Sequence, residues 1–205
     1  MIMREICASS PVIPVLAVEN ADYAEPLAMA LYEGGLRVFE VTLRTPVALE
    51  VIKRMRNAVP EAVVGVGTLM TQEDIAASKH AGAQFGVAPG MTPSLLEGAE
   101  DAGMPLLPGV STPSEVMMAR EFGHDVLKFF PAEANGGVPV LKAWASPLSD
   151  VAFCPTGGIT PETAKSYLDL PNVLCVGGSW ITPKRLMEEG KWKDIRELAE
   201  QAARF

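Results

Sequence analysis

The sequence predicts an α/β fold, a single-domain (β/α)8 barrel of the TIM type spanning residues 1–205. Three observations predict it. Short apolar segments rich in Val, Ile and Phe alternate with amphipathic stretches of helical spacing, the pattern of parallel strands joined by crossover helices. Eight strand-like segments can be counted, the number that closes a barrel. The glycine-rich turn expected after the first strand of a doubly wound open sheet, the main alternative, is missing: the first segment runs into Val18-Glu19-Asn20-Ala21. No linker or low-complexity stretch divides the chain, and 205 residues leave almost no room for insertions.

The predicted strands are Val12–Val18, Arg37–Leu43, Ala62–Val66, Gln84–Val87, Pro105–Leu107, Asp125–Phe130, Val151–Cys154 and Val173–Val176. The predicted helices between and after them are Tyr23–Glu33, Pro46–Ala58, Thr71–Ala81, Thr92–Ala102, Thr112–Phe122, Gly137–Ala145, Pro161–Leu168 and Lys184–Ala203, the last broken near Gly190. Thr71 followed by Asp74, and Thr112-Pro113 followed by Glu115, read as capped helix starts, with Pro113 at the first helical position.

Composition narrows the function. Lys and Arg number 17 against 25 Asp and Glu, a net charge of -8, which argues against a nucleic-acid or anionic-membrane surface. No apolar run reaches the roughly 20 residues of a membrane span, and no secretory signal follows Arg4. Three cysteines, Cys7, Cys154 and Cys175, form no disulfide framework and suit a reducing cytoplasm.

In such a barrel the active site sits at the C-terminal strand ends. The second segment places Glu40, Thr42 and Arg44 on one face and Phe39, Val41 and Leu43 on the other. The apolar face must meet the helices, so Glu40 and Arg44 point to the barrel interior or mouth. A carboxylate there is costly unless paired, and a structural Glu40–Arg44 pair is the alternative to a functional one. Lys128 is the one lysine inside a strand segment, sharing its face with Val126 and Phe130. Desolvation favours a neutral amine, which attacks carbonyls to form Schiff bases. The alternative is a lysine that snorkels to a barrel end or partners Glu40. Thr68, on the same face as Val64 and Val66, is a weaker candidate for the mouth. Pro89-Gly90 and Pro108-Gly109 allow tight turns and close approach of substrate. Gly157-Gly158 and Gly177-Gly178 follow the last two strands, the expected form of a barrel phosphate site. His80 and His124 have no ligand partners at metal spacing, so no metal and no cofactor are expected.

Five stretches carry a resemblance: Glu40-Val41-Thr42-Leu43-Arg44-Thr45, Gly65-Val66-Gly67-Thr68, Lys128-Phe129-Phe130-Pro131-Ala132-Glu133, Cys154-Pro155-Thr156-Gly157-Gly158 and Gly177-Gly178-Ser179-Trp180. In this order, from Pro11 to about Ala203, they resemble the 2-keto-3-deoxy-6-phosphogluconate (KDPG) and 4-hydroxy-2-oxoglutarate aldolases, which are class I enzymes. The resemblance implies a cytoplasmic homotrimer acting on a keto acid and a phosphorylated sugar acid, with Lys128 as the Schiff-base residue and Glu40 as general acid/base. It implies that Arg44 and Thr68 hold the pyruvate carboxylate, that Thr156 lines the pocket near the aldehyde half, and that Gly157, Gly158, Gly178 and Ser179 take the phosphate. Pro89 and Phe130 complete the expected substrate-binding set. Family members often carry a longer N-terminal helix, whereas here only Met1–Ser10 precede Pro11.

Three other readings share parts of this pattern. A galactonate-series aldolase would use the same Lys128, Glu40 and Arg44. A sugar-phosphate isomerase would use Glu40 as base and Lys128 as a charged electrophile, with no covalent intermediate. A phosphate-binding barrel without turnover would leave the interior Lys and Glu unexplained.

Overall fold

The computed structural model describes residues 2–205; Met1, the first residue of the predicted domain, lies outside them. Among the described residues the strands are β1 (Val12–Leu16), β2 (Val38–Thr42), β3 (Val63–Gly67), β4 (Gly86–Val87), β5 (Leu106–Leu107), β6 (Gly109–Val110), β7 (Val126–Phe129), β8 (Ala152–Pro155) and β9 (Val176–Gly178). The helices are α1 (Met3–Ala8), α2 (Ala24–Glu33), α3 (Ala48–Ala58), α4 (Gln72–His80), α5 (Pro93–Asp101), α6 (Pro113–Glu121), α7 (Gly137–Trp144), α8 (Pro161–Leu168), α9 (Lys184–Glu188) and α10 (Trp192–Ala202).

All strand pairs are parallel and form two arcs, β5-β4-β3-β2-β1-β9 and β6-β7-β8. The arcs meet at two seams. At one, β5 and β6 are a single extended run parted at Pro108, which has no N–H to give to a ladder. At the other, the bridges Phe153↔Val173 and Thr156↔Gly177 join β8 to the β9 segment. Eight strand positions thus surround one axis, as the sequence predicts. The eighth pairs later than the predicted Val173–Val176, because its partner β1 begins at Val12, opposite Val176.

Strand parity separates two cores. Phe39, Val41, Val64, Val66, Leu127, Phe129 and Phe153 lie in the layer under the helices. Ile13, Val38, Phe85, Val87, Leu107, Val126 and Cys154 fill the axis. Phe85 fits there because β3 presents Gly65: a Cβ at that position would fall 2.3 Å from the Phe85 ring. The N-terminal segment, which carries no helix in the sequence reading, forms α1. Its Ile6 and Cys7 are buried in the axial cluster and close the bottom of the barrel. Burial of an Ile-sized side chain stabilises by roughly 1.5–3 kcal/mol, enough to hold so short a helix. Arg4 also anchors α1, pairing with Asp125 at 2.8 Å. The predicted caps form: Thr71 and Thr112 each accept from the backbone N–H of the acid three residues on, Asp74 and Glu115. The single predicted C-terminal helix is two, α9 and α10, parted at Gly190, whose φ of 64° lies in the left-handed region.

Candidate active site

Glu40 and Lys128 come from opposite sides of the ring and meet on the axis. Lys128 Nζ donates to Glu40 Oε1 at 3.4 Å, and both side chains are 4% exposed. The apolar partners on their strands, Phe39, Val41, Leu127 and Phe129, must face the helices, and alternation then sends both charges inward. The carboxylate has room because β3 carries Gly67 against the end of the side chain: a Cβ there would fall 2.1 Å from Glu40 Oε1. An ion pair out of water is a poor way to gain stability, since desolvation offsets much of its attraction. Its retention in a small barrel points to chemistry. The Phe130 ring centroid lies 5.1 Å from Lys128 Nζ, a cation–π contact that favours a positively charged nitrogen.

Arg44 stands at the mouth, exposed, two residues beyond the end of β2. It is not paired with Glu40, which removes the structural Glu40–Arg44 alternative. Among the described residues its guanidinium pairs with no carboxylate; its Nε donates to Thr68 Oγ1 at 3.3 Å. The turn bearing it is tied to β1 by two hydroxyls, Thr42 donating to the Leu16 carbonyl at 2.8 Å and Thr45 to the Val18 carbonyl at 2.7 Å. Thr68 reaches Arg44 for a reason the sequence parity misses. Val64 and Val66 face the helices, so a regular strand would turn Thr68 outward with them. Its backbone instead takes a φ of 65°, strained for a β-branched residue, which swings the hydroxyl to the mouth.

A cavity of about 100 Å³ opens above the buried pair, lined by Val15, Arg44, Phe130, Thr156, Gly157, Gly158, Ile159, Gly177 and Ser179. Register places the pair directly beneath it. Val15 stands beside Glu40, and Phe130 and Thr156 lie two residues beyond Lys128 and its strand partner Cys154. The backbone N–H groups of Gly157 and Gly158 have no acceptor in the chain among the described residues, and both glycines have left-handed φ values, 104° and 79°. Three expected substrate-binding residues are not in the lining: Thr68, which sits beside Arg44 at the rim, Gly178 and Pro89. Gly178 turns outward, where its missing side chain admits the Trp180 ring, 2.2 Å from a Cβ placed there. Pro89 is exposed on the turn after β4, and its carbonyl packs over Gly109. Two lining residues, Val15 and Ile159, escaped the sequence reading, and Gly177, read there only as half of a glycine turn, is the member of its pair that lines the cavity. Register brings Val15 beside Glu40 and Gly177 beside Thr156, which strand parity alone does not give, and Ile159 carries no signal in the sequence. A larger hollow, about 460 Å³, lies at the opposite end of the barrel near Leu96, Phe122 and His124. Neither Glu40 nor Lys128 reaches it, so chemistry, not size, identifies the site.

Cys7, Cys154 and Cys175 are free and buried. Hydrogen bonds with Cys154 and Cys7, together with burial, push the Cys175 thiol well up, so it is an inert core group. Burial lowers the His124 imidazole below its ordinary value, only partly opposed by Glu100 and Asp125. Among the described residues no group of three or more His, Cys, Asp or Glu is placed to hold a metal ion, and no helix is long and apolar enough to cross a membrane.

The sequence matches the model of the KDPG and KHG aldolase family over residues 3–198. It is 49% identical over 199 residues to the 2-dehydro-3-deoxy-phosphogluconate aldolase of Pseudoalteromonas atlantica, covering 97% of this chain and 93% of that protein. Among solved structures it is similar to the KDPG aldolase from Legionella pneumophila, with pyruvate captured at low pH as a covalent carbinolamine intermediate. The TM-score is 0.95 and the identity 44%, over 98% of this chain and 97% of that one. It is also similar to the 2-keto-3-deoxy-6-phosphogluconate aldolase of Zymomonas mobilis ZM4 with 3-phosphoglycerate, with TM-score 0.92 and 47% identity, over 98% and 94% of the two chains.

Proposed function

The chain belongs to the KDPG and KHG aldolase family, and from that premise we propose that it cleaves KDPG to pyruvate and glyceraldehyde 3-phosphate through a Schiff base on Lys128. The same site cleaves 4-hydroxy-2-oxoglutarate to pyruvate and glyoxylate. The observation that carries this reading is the buried Lys128–Glu40 pair, one amine and one carboxylate 3.4 Å apart under a cavity with the Arg44 guanidinium at its mouth.

Proton transfer from Lys128 to Glu40 leaves a neutral amine and a carboxylic acid. The amine attacks the C2 ketone, and the protonated Glu40 assists loss of the carbinolamine hydroxyl as water. The resulting iminium is an electron sink, favoured by the adjacent Phe130 ring. Glu40, now a carboxylate, takes the proton of the C4 hydroxyl as the C3–C4 bond breaks. The electrons of that bond enter the iminium to give an enamine, and the aldehyde leaves. Glu40 returns the proton to C3, and water then releases pyruvate and Lys128. Arg44 and Thr68 hold the keto-acid carboxylate, a reading supported by the guanidinium's lack of a carboxylate partner among the described residues. Gly157, Gly158 and Ser179 take the phosphate, supported by the unpartnered amides of the two glycines, with Gly178 contributing only its backbone and Thr156 facing the aldehyde half. Pro89 closes the outer edge of the mouth. Residues 1–205 act as one domain, in a cytoplasmic homotrimer, a setting supported by the three free buried cysteines.

Borohydride added with pyruvate tests this. The expected result is irreversible inactivation, with a single reduced pyruvyl adduct on Lys128, while borohydride alone is harmless. Lys128→Arg keeps the charge, folds and loses turnover, since a guanidinium forms no iminium. An adduct on Lys142 or Lys165, or substantial activity in Lys128→Arg, overturns the assignment. Absence of any adduct in an active enzyme favours the isomerase chemistry instead.

A further inference from the structure

We propose that Tyr167 is a positioning residue for the phosphate end of the site: it holds the Glu133 carboxylate, Glu133 holds the Gly157–Gly158 turn, and together they select phosphorylated substrates. This rests on the reading above in which that turn takes the substrate phosphate.

Tyr167 lies on α8, outside the barrel wall, and is fully buried. Its hydroxyl donates to Glu133 Oε1. Glu133 stands five residues beyond Lys128, on the turn that leaves β7. That turn is sewn to the next one by backbone: Ala132 N–H donates to the Thr156 carbonyl at 2.8 Å and Glu133 N–H to the Gly157 carbonyl at 3.1 Å. The side chain adds a wall. A Cβ on Gly158 would fall 2.8 Å from Glu133 Cβ and Cγ, so the glycine turn is folded directly against the glutamate stem. The tyrosine is confined in turn, since a Cβ on Gly137 would come within 2.8 Å of its Oη. A rotamer change at Glu133 therefore moves the surface on which the phosphate sits.

Charge gives the arrangement its second role. A loose carboxylate behind an anion-binding turn repels a phosphate. The phenol hydroxyl spreads that charge and ties it towards α8. Burial and the adjacent Glu133 push the Tyr167 hydroxyl well above its ordinary value, so it remains a proton donor throughout the working range.

The test compares two substrates in the intact enzyme, KDPG and the unphosphorylated 4-hydroxy-2-oxoglutarate, by initial rates of pyruvate release. Tyr167→Phe should raise KM for KDPG about tenfold, the loss of one well-placed hydrogen bond, with kcat nearly unchanged. Its kcat/KM for 4-hydroxy-2-oxoglutarate should stay within about twofold. Tyr167→Phe with Glu133→Gln should recover most of the KDPG loss, because the freed charge is gone. Both substrates declining in proportion, both unchanged, or no recovery in the double variant overturns the proposal. A wild-type enzyme that releases pyruvate from neither substrate overturns the aldolase reading itself, and a wild type active on both isolates the failure to Tyr167.

Discussion

Gly67→Ala perturbs the reaction without replacing a reacting group. The added methyl falls 2.1 Å from Glu40 Oε1 and 2.8 Å from its Cδ and Cγ. Ordinary van der Waals contact begins near 3.4 Å, so the carboxylate must retreat by about 1.3 Å. The backbone does not resist, since Gly67 is a regular strand residue without left-handed φ. The cost therefore appears at Glu40, which loses its 3.4 Å contact with Lys128 Nζ and, with it, the proposed reach to the substrate hydroxyl. Displacement of a catalytic group by 1 Å costs about 100-fold in rate, and that is the expected drop in kcat. Overpacking costs a further ~1–3 kcal/mol of stability, which thermal melting measures separately. Gly65→Ala is the control: it drives a methyl into the Phe85 ring, two residues deeper, and should lower the melting temperature with a much smaller effect on kcat in the folded enzyme. Coupled pyruvate release gives the rates. A folded Gly67→Ala enzyme with kcat within twofold of wild type refutes the placing of Glu40 at the reacting atoms.

Arg44→Ala removes the charge-assisted contact proposed for the keto-acid carboxylate, worth ~2–3 kcal/mol, so kcat/KM should decline ~100-fold for phosphorylated and unphosphorylated keto acids alike; kinetics unchanged within twofold exclude the role. Chelation should leave activity intact, and loss in EDTA restored by zinc would move the chemistry to a metal-dependent class. At the start of α6, burial raises the Glu115 carboxyl, but hydrogen bonds from the Ser111 and Thr112 backbone and side chains outweigh it and hold the group below its ordinary 4.5. A depressed folded value means stability fully present above pH 4.5 and lost as pH falls through the lower folded value. Glu115→Ala should accordingly cost roughly 0.5–2 kcal/mol at neutral pH, with the gap to wild type narrowing in acid; a gap that widens in acid contradicts the sign.

The sequence by itself determined whatever depends on period and parity. Eight apolar segments at regular spacing need eight parallel strands, and Phe39 and Val41 cannot face outward unless Glu40 faces in. The same logic isolates Lys128, because one charged residue inside an apolar strand has few structural uses. Helix starts were legible at Thr71 and Thr112, since capping is local chemistry three residues long. Tertiary structure decided what depends on groups far apart in the chain. That Glu40 pairs with Lys128 and not with Arg44 follows from barrel closure, which brings residues 88 positions apart within reach. Thr68 reaches the mouth only through a left-handed backbone that breaks strand parity, and Gly178 leaves it because Val176 packs under the helices and takes Gly178 to the same side. The plug formed by Ile6 and Cys7 was invisible because six residues are too short for helical periodicity; the helix exists because the barrel bottom gives its apolar side chains somewhere to go.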